Sequence, residues 1–503
     1  MNLFRTKTIE QSIADTEEPD HQLRKELGPL QLTVFGVGVI IGTGIFVLTG
    51  EAAGEKAGPA VALSFVFSGI ACALAALCYA EFASTVPVAG SAYTFSYASL
   101  GELVAWVIGW DLILELALGA STVAVGWSTY FADVMEQAGI TLPASTYGAE
   151  PDLVPNLVAP AIVLILTAVI CLGIKVSSQF NFVMVVVKLS IILLVIVAGL
   201  FFIKSGNYSP FIPPSGSEAA SGAAPTESLL QDLGFAPGAF GFSGIFTGAA
   251  LVFFAYIGFD IVATAAEETK NPQRDMPIGI LASLGICTVL YVAVSLVVTG
   301  MVDYTEIEID APLAAAFRSV GQPGIATTIS VGALIGLTTV MMILLLGQSR
   351  VFFAMSRDRL LPPAFSKVSE RFGTPIRTSI TTGVVVALIS AFVPLTELAE
   401  LVNIGTLFAF ILVAIGVLVL RRTRPDLERA FRCPAVPLVP ILAVLAAFYL
   451  MLNLAAATWV RFFVWMALGF VVYFVYSARH SRLVTDPNYS RDADTAAAKR
   501  RES

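Results

Sequence analysis

The chain is a succession of long apolar runs parted by short polar stretches. A helix needs roughly 20 apolar residues to cross the hydrocarbon core of a bilayer, and twelve runs qualify. They begin near Leu30, Val61, Leu103, Leu157, Phe180, Phe242, Ile278, Ile325, Ser379, Leu401, Val436 and Phe462. The third, Leu103 to Phe131, and the eighth, Ile325 to Phe353, exceed what a crossing needs, which implies tilt. The twelfth reads as the shortest. The pattern predicts an all-α, polytopic membrane protein of twelve transmembrane helices.

Basic residues orient such a chain, because cytoplasmic loops hold the excess of Lys and Arg. With the N-terminus in the cytoplasm, 24 of the 29 basic residues fall inside and only Lys56, Lys204, Arg318 and Arg461 outside. The remaining one, Lys188, lies within a span. Both ends are therefore expected in the cytoplasm. The polar start, up to Gly28, has no apolar core of the signal-peptide kind, so the first span is expected to be retained. The boundaries expected are a cytoplasmic segment (1–29), spans 1–5 (30–204), an extracellular segment (205–240), spans 6–10 (241–421), two further spans (422–482) and a polar, disordered tail (483–503). The tract at 215–225, rich in Ser, Gly and Ala, reads as flexible linker.

Composition agrees with this reading and excludes others. Of 503 residues, 56% are hydrophobic and 13% charged, against about 25% charged in soluble domains. A formal net charge of −8 leaves no basic surplus for a nucleic-acid backbone. Both histidines, His21 and His480, lie in polar terminal segments, which excludes histidine-based metal or triad chemistry. The five cysteines are spread out, without metal or disulfide spacing. No cofactor is expected. Twelve helices with polar backbone interruptions are the build of a transporter.

Those interruptions fall in the first and sixth spans. The first reads LTVFGVGVIIGTGIFVLTG (32–50). A Gly-rich dinucleotide loop would need a soluble strand–turn–helix unit, which a membrane-length run does not supply. Gly36 and Gly38 fit close helix packing. Gly42-Thr43-Gly44 fits an unwound point, since each Gly weakens a helix by about 1 kcal/mol relative to Ala. In lipid such a point survives only where it lines a site or is packed in protein. There, freed N–H groups suit a carboxylate and freed carbonyls an ammonium, the two groups of an α-amino acid. In the sixth span, Gly258 follows Phe253-Phe254-Ala255-Tyr256. Matching breaks in spans 1 and 6 are the mark of two inverted halves, spans 1–5 and 6–10.

The motifs IGTGIF (41–46), AEFASTVPVAGSAYTFSY (80–97), GWDLILE (109–115), FFAYIGFD (253–260), EETKNPQRDMPIGI (267–280), SRDRLLP (356–362) and LVNIGTLFAF (401–410) resemble the amino acid–polyamine–organocation superfamily. Within it they are most similar to bacterial relatives of the cationic amino acid transporters. The resemblance runs from about Leu23 to His480. It implies a five-plus-five inverted-repeat fold and secondary active uptake of L-amino acids. It also implies that Ile40, Gly42, Thr43 and Gly44 hold the substrate backbone, with Phe254, Ala255 and Ile257 completing the cradle.

Charges within spans each need a reason, because insertion scales put them at about 2.5–3.5 kcal/mol. Lys188 lies seven residues into the run 181–202, about 10 Å deep. It could snorkel to the interface or serve function. The resemblance favours function, placing it where sodium-driven relatives bind their ion. Glu115 and Asp111 share a face of span 3 at i, i+4 spacing. The resemblance turns Glu115 toward the pocket, while Asp111 reads as an interhelical hydrogen bond. Thr338 and Thr339 read as hydroxyls bonded to their own helix. Glu267, Glu268, Lys270 and Arg274 read as an intracellular gate or structural salt bridges.

The expectation is a proton-coupled importer of L-amino acids, cationic or small and neutral, whose partners are substrate, protons and membrane lipid. An exchanger, a polyamine antiporter or a non-transporting sensor on the same fold are the alternatives. The sequence offers no nucleophile–base or metal constellation for an enzyme.

Overall fold

A computed structural model of the chain describes residues 27–85, 91–143, 155–173, 178–217, 219–220, 228–235, 238–367, 369, 374–425, 427 and 429–485. The N-terminal segment up to residue 26 and the tail from residue 486, including its expected disorder, lie outside them. Among the described residues the fold is helical, with two isolated β-bridges and no strand.

Each expected span coincides with a helix that starts within six residues of the expected position. Span 1 is Pro29–Ile40 followed, after a break, by π- and α-helical turns from Gly44 to Ala57. Span 2 is Val61–Thr85, span 3 Glu102–Gln137, span 4 Val158–Cys171 and span 5 Ser178–Gly199. Span 6 is Gly241–Val252 and, past a second break, Phe259–Val262. Spans 7 to 10 are Pro272–Met301, Pro323–Arg357, Ile376–Phe392 and Leu395–Thr423. Spans 11 and 12 are Leu438–Leu452 and Ala456–Val472. Spans 3 and 8 are the longest, at 36 and 35 residues. The shortest is span 4, with 14 residues, and not span 12. Span 12 runs on through a π turn, Tyr473–Ser477, beyond its apolar stretch, whereas span 4 stops at the left-handed Gly173.

Packing repeats when every span number is shifted by five. Span 1 packs on 7 as 6 does on 2, 3 on 10 as 8 on 5, 3 on 9 as 8 on 4, and 1 on 5 as 6 on 10. The pairs 2–7, 3–8 and 4–9 map onto themselves. Five is odd, so counterparts cross in opposite senses. This is the geometry of a five-plus-five inverted repeat. Spans 11 and 12 lie outside it. Span 12 is seamed to span 3 by Trp110 and Trp465, each donating its indole N–H to the other's carbonyl at 3.0 and 3.2 Å. Phe201, Val289, Leu388 and Val464 stay exposed on the bundle's outside, where lipid solvates them.

The described parts of the segment 205–240 do not hang free. Ala220 donates its N–H to Gly54 O (3.1 Å), Phe240 to Lys56 O (2.7 Å) and Leu229 to Leu454 O (2.9 Å), so they dock on span 1 and on the turn between spans 11 and 12. Residues 218 and 221–225 of the expected linker lie outside the described residues. A short helix, Pro312–Ser319, completes the cover on this side. It is tied by an Arg318–Asp133 ion pair to span 3. The five cysteines are free.

Candidate functional site

The helix of span 1 stops where Ile41 turns extended (φ −72°, ψ 100°) and restarts at Gly44. Its last carbonyls have no intrahelical donors, and side chains from two other spans replace them. The Lys188 ammonium of span 5 donates to Gly38 O at 2.7 Å, and the Tyr291 hydroxyl of span 7 reaches Ile40 O at 2.8 Å. Span 6 breaks beside it. Its 3₁₀ turn Phe253–Tyr256 gives way to extended Ile257 and then Gly258 at φ 120°. That backbone belongs to glycine, and a Cβ there would also sit 2.7 Å from Val39 Cγ1. Tyr291 also meets Ala255 O at 3.0 Å, so one phenol touches the carbonyls of both breaks. Asn403 of span 10 holds the end of the first half of span 6, donating to Ala250 O and Leu251 O at 2.8 and 3.1 Å.

Between the breaks lies a small cavity. Of the nine residues expected at the site, Ile40, Gly42, Thr43, Gly44, Glu115, Phe254 and Ile257 line it. Ala255 does not; it packs against Gly44 instead. A Cβ on Gly44 would stand 2.2 Å from Ala255 Cα, while one on Gly42 would meet Val340 Cγ1 at an ordinary 3.5 Å. Glycine at 44 therefore serves the contact between the two broken helices, and glycine at 42 leaves space. Lys188 also lies off the cavity, behind span 1 and 1% exposed. Its stem packs on Gly336 of span 8.

Two polar atoms in the lining are left over. Thr43 Oγ1 and Glu115 Oε1 are buried without a hydrogen-bond partner. A buried polar atom left unpaired costs about 1–3 kcal/mol, so both positions suit a ligand that supplies the missing partner. Glu115 stands beside Thr406 of span 10 and near Asp111 and Asp260. Asp111 does not make the expected interhelical hydrogen bond: both carboxylate oxygens are buried and unpartnered, one of them over Gly405. Asp260 takes the Gly258 N–H at 3.1 Å. Thr338 and Thr339 bond their own helix, at Leu334 O and Gly336 O, both 2.7 Å. At the opposite end of span 1, backbone pairs close the bundle: Leu27 N–H to Glu268 O and Lys270 N–H to Leu27 O, both 2.9 Å. The side chain of Glu267 lies outside the described residues.

Sequence reasoning missed Val39, Gly119, Val123, Val340 and Leu344 of the lining, and Tyr291 and Asn403 behind it. The aliphatic residues, Gly119 and Tyr291 do not stand out from the apolar runs around them; Asn403 is a polar residue in such a run, and that signal was available.

Two broken helices facing each other across a cavity are a carrier's architecture, and the sequence agrees. The model of the amino acid permease family matches residues 27–478. The chain belongs to that family. The permease is 46% identical over 485 residues to the methylthioribose transporter of Bacillus subtilis, covering 96% of this chain and 99% of the relative. It is 48% identical over 489 residues to that organism's branched-chain amino acid permease, with the same coverage. It is 35% identical over 602 residues to the mitochondrial cationic amino acid transporter 3 of Arabidopsis thaliana, with 96% of each chain covered. The permease is thus a multi-pass membrane protein whose function is amino acid transport.

Proposed function

We propose that the permease imports L-amino acids by alternating access, driven by protons, with Lys188 as the coupling group. The substrate's α-carboxylate meets the amides that open the second half of span 1 and the Thr43 hydroxyl. Its ammonium meets the carbonyls exposed at the breaks. The observation that carries the reading is the Lys188 ammonium on Gly38 O, behind the cradle. A proton gained or lost there makes or removes a charge-assisted tie to span 1, so the broken helix is freed or held without any contact between substrate and proton. While it is protonated, the Lys188 ammonium also repels sodium.

The side-chain end of the cavity is walled by Val39, Val123, Ile257, Val340 and Leu344, which favours a small or branched neutral side chain. The name of the branched-chain relative points the same way. Glu115, with an unpartnered oxygen and two carboxylates nearby, favours a cationic side chain as the second reading. Uptake into proteoliposomes tests both. Labelled substrate should accumulate under a pH gradient, acid outside, with no sodium requirement. Competition by all common amino acids ranks the side chains. Sodium-driven uptake would remove the coupling reading.

A further inference from the structure

One buried carboxyl away from the cavity has no task in this scheme. Glu51 lies on the outer half of span 1, seven residues past Gly44, about 10 Å nearer the outside. It is 6% exposed. One of its oxygens accepts the hydroxyl of Thr396 at the start of span 10. The other, Oε2, is buried with no partner. The charged groups facing it are Lys56 and Glu55 of its own element and Glu400 of span 10. The Glu400 carboxylate is engaged with Thr458 Oγ1 (2.6 Å) and the Ala455 N–H (3.4 Å) of the span 12 start. Among the described residues Glu51 has no ion pair.

The position is a joint. The neighbouring Gly50 is pressed against Pro312 of the covering helix, where a Cβ would stand 2.5 Å from the proline ring. Glu51 itself is sealed by span 10. Opening the outer face by moving the outer half of span 1 would part Glu51 from Thr396 and admit water. Buried without an ion pair, and with Glu55 and Glu400 facing it as well as Lys56, an ionised carboxyl with an oxygen unmatched is costly, and a neutral one far less so.

We propose that Glu51 is a proton-binding site on the outer side of the permease, loaded from outside as the outer half of span 1 closes onto span 10. This rests on the proton-driven reading for the direction of flow, and adds to Lys188 a second site at the outer face.

The test uses the full chain in proteoliposomes. For the wild type, the initial uptake rate should rise up to about tenfold per unit of external acidification above the midpoint of a single protonation. Glu51→Gln keeps the size of the side chain and its bond from Thr396, so substrate exchange should persist while the external pH response flattens to within about twofold. A response like the wild type's would overturn the proposal. Should the wild type itself ignore external pH, the proton-driven reading fails, and infrared spectra of the purified proteins decide the site. A protonated-carboxyl band lost in Glu51→Gln supports it, and an unchanged band refutes it. Should Glu51→Gln fail to fold, Thr396→Val removes only the hydroxyl donor, and a displaced pH midpoint is the supporting result, an unmoved one the refuting result.

Discussion

The two sides of the first break differ in what their polar groups are doing. Behind it, Lys188 and Tyr291 spend their donors on the carbonyls of Gly38 and Ile40. In front of it, Thr43 Oγ1 and Glu115 Oε1 face the cavity with no partner. A buried polar group that is satisfied by protein holds protein to protein. One that is not has kept its capacity for something absent. The back of the break therefore governs conformation and the front governs substrate, so substitutions should separate into those that change coupling and stability and those that change affinity or choice.

The largest effect is expected at the back. Lys188→Ala leaves the Gly38 carbonyl buried and unpaired, at a cost of about 1–3 kcal/mol, and removes the charge that cycles. Accumulation under a pH gradient should fall to equilibration, while binding, measured by thermal shift with substrate, persists. Full accumulation by the variant would break the comparison at its root. Gly44→Val comes next. Its Cβ meets Ala255 Cα at 2.2 Å, so the two broken helices must separate. Binding should be lost, with membrane insertion intact; normal affinity would mean that the breaks are not pressed together. The cause differs from the one that the sequence implies, since the collision is with span 6 and not with the substrate.

Much of this was legible in the residues, for identifiable reasons. Breaks announce themselves, because Gly42, Gly44 and Gly258 are anomalies in runs meant to be helical. Lys188 and Glu115 announce themselves because a charge in an apolar run is expensive. What could not be read is what looks ordinary. Val340 and Leu344 are aliphatic residues among aliphatic residues, and only span 8's packing across span 3 turns them to the cavity. Tyr291 carries no local signal; its importance lies in two carbonyls far from it in sequence. Ala255 belonged to the right motif and faces the wrong way, because a 3₁₀ turn changes which side chains share a face. The tract at 215–225 has a linker's composition, yet Ala220, one of its described residues, is docked on span 1 by a backbone hydrogen bond to Gly54 O.

Tyr291→Phe should have a middling effect. It deletes one hydroxyl shared by Ile40 O and Ala255 O, and net hydrogen-bond losses run at about 1 kcal/mol. The thermal midpoint should drop by a few degrees and the transport rate should change more than affinity does. A pure loss of affinity would move Tyr291 from the back to the front. Glu115→Gln sharpens the front. It leaves size and burial nearly unchanged but replaces an ionisable acceptor oxygen with an amide that cannot carry charge, so lysine, arginine or ornithine should lose far more affinity than alanine or valine. Equal losses for all would assign Glu115 to structure or to protons.

The smallest effect is expected at Gly42, and it is the closest test of the front. A methyl at this position meets Val340 Cγ1 at 3.5 Å and Cγ2 at 3.6 Å, contacts that side chains make without strain. Helix propensity favours alanine over glycine by about 1 kcal/mol, but Ile41 just before it is extended, so little of that gain is available. The added methyl therefore takes up cavity space and does little else. Gly42→Ala should keep stability and proton response, bind alanine within about twofold, and weaken longer side chains by up to about 1 kcal/mol, the scale of one methyl group of packing. Equilibrium binding across a series from alanine to leucine measures it. A uniform loss across the series would place residue 42 against the substrate backbone, and the front of the break would then be a backbone cradle at Gly42 as well as a side-chain pocket.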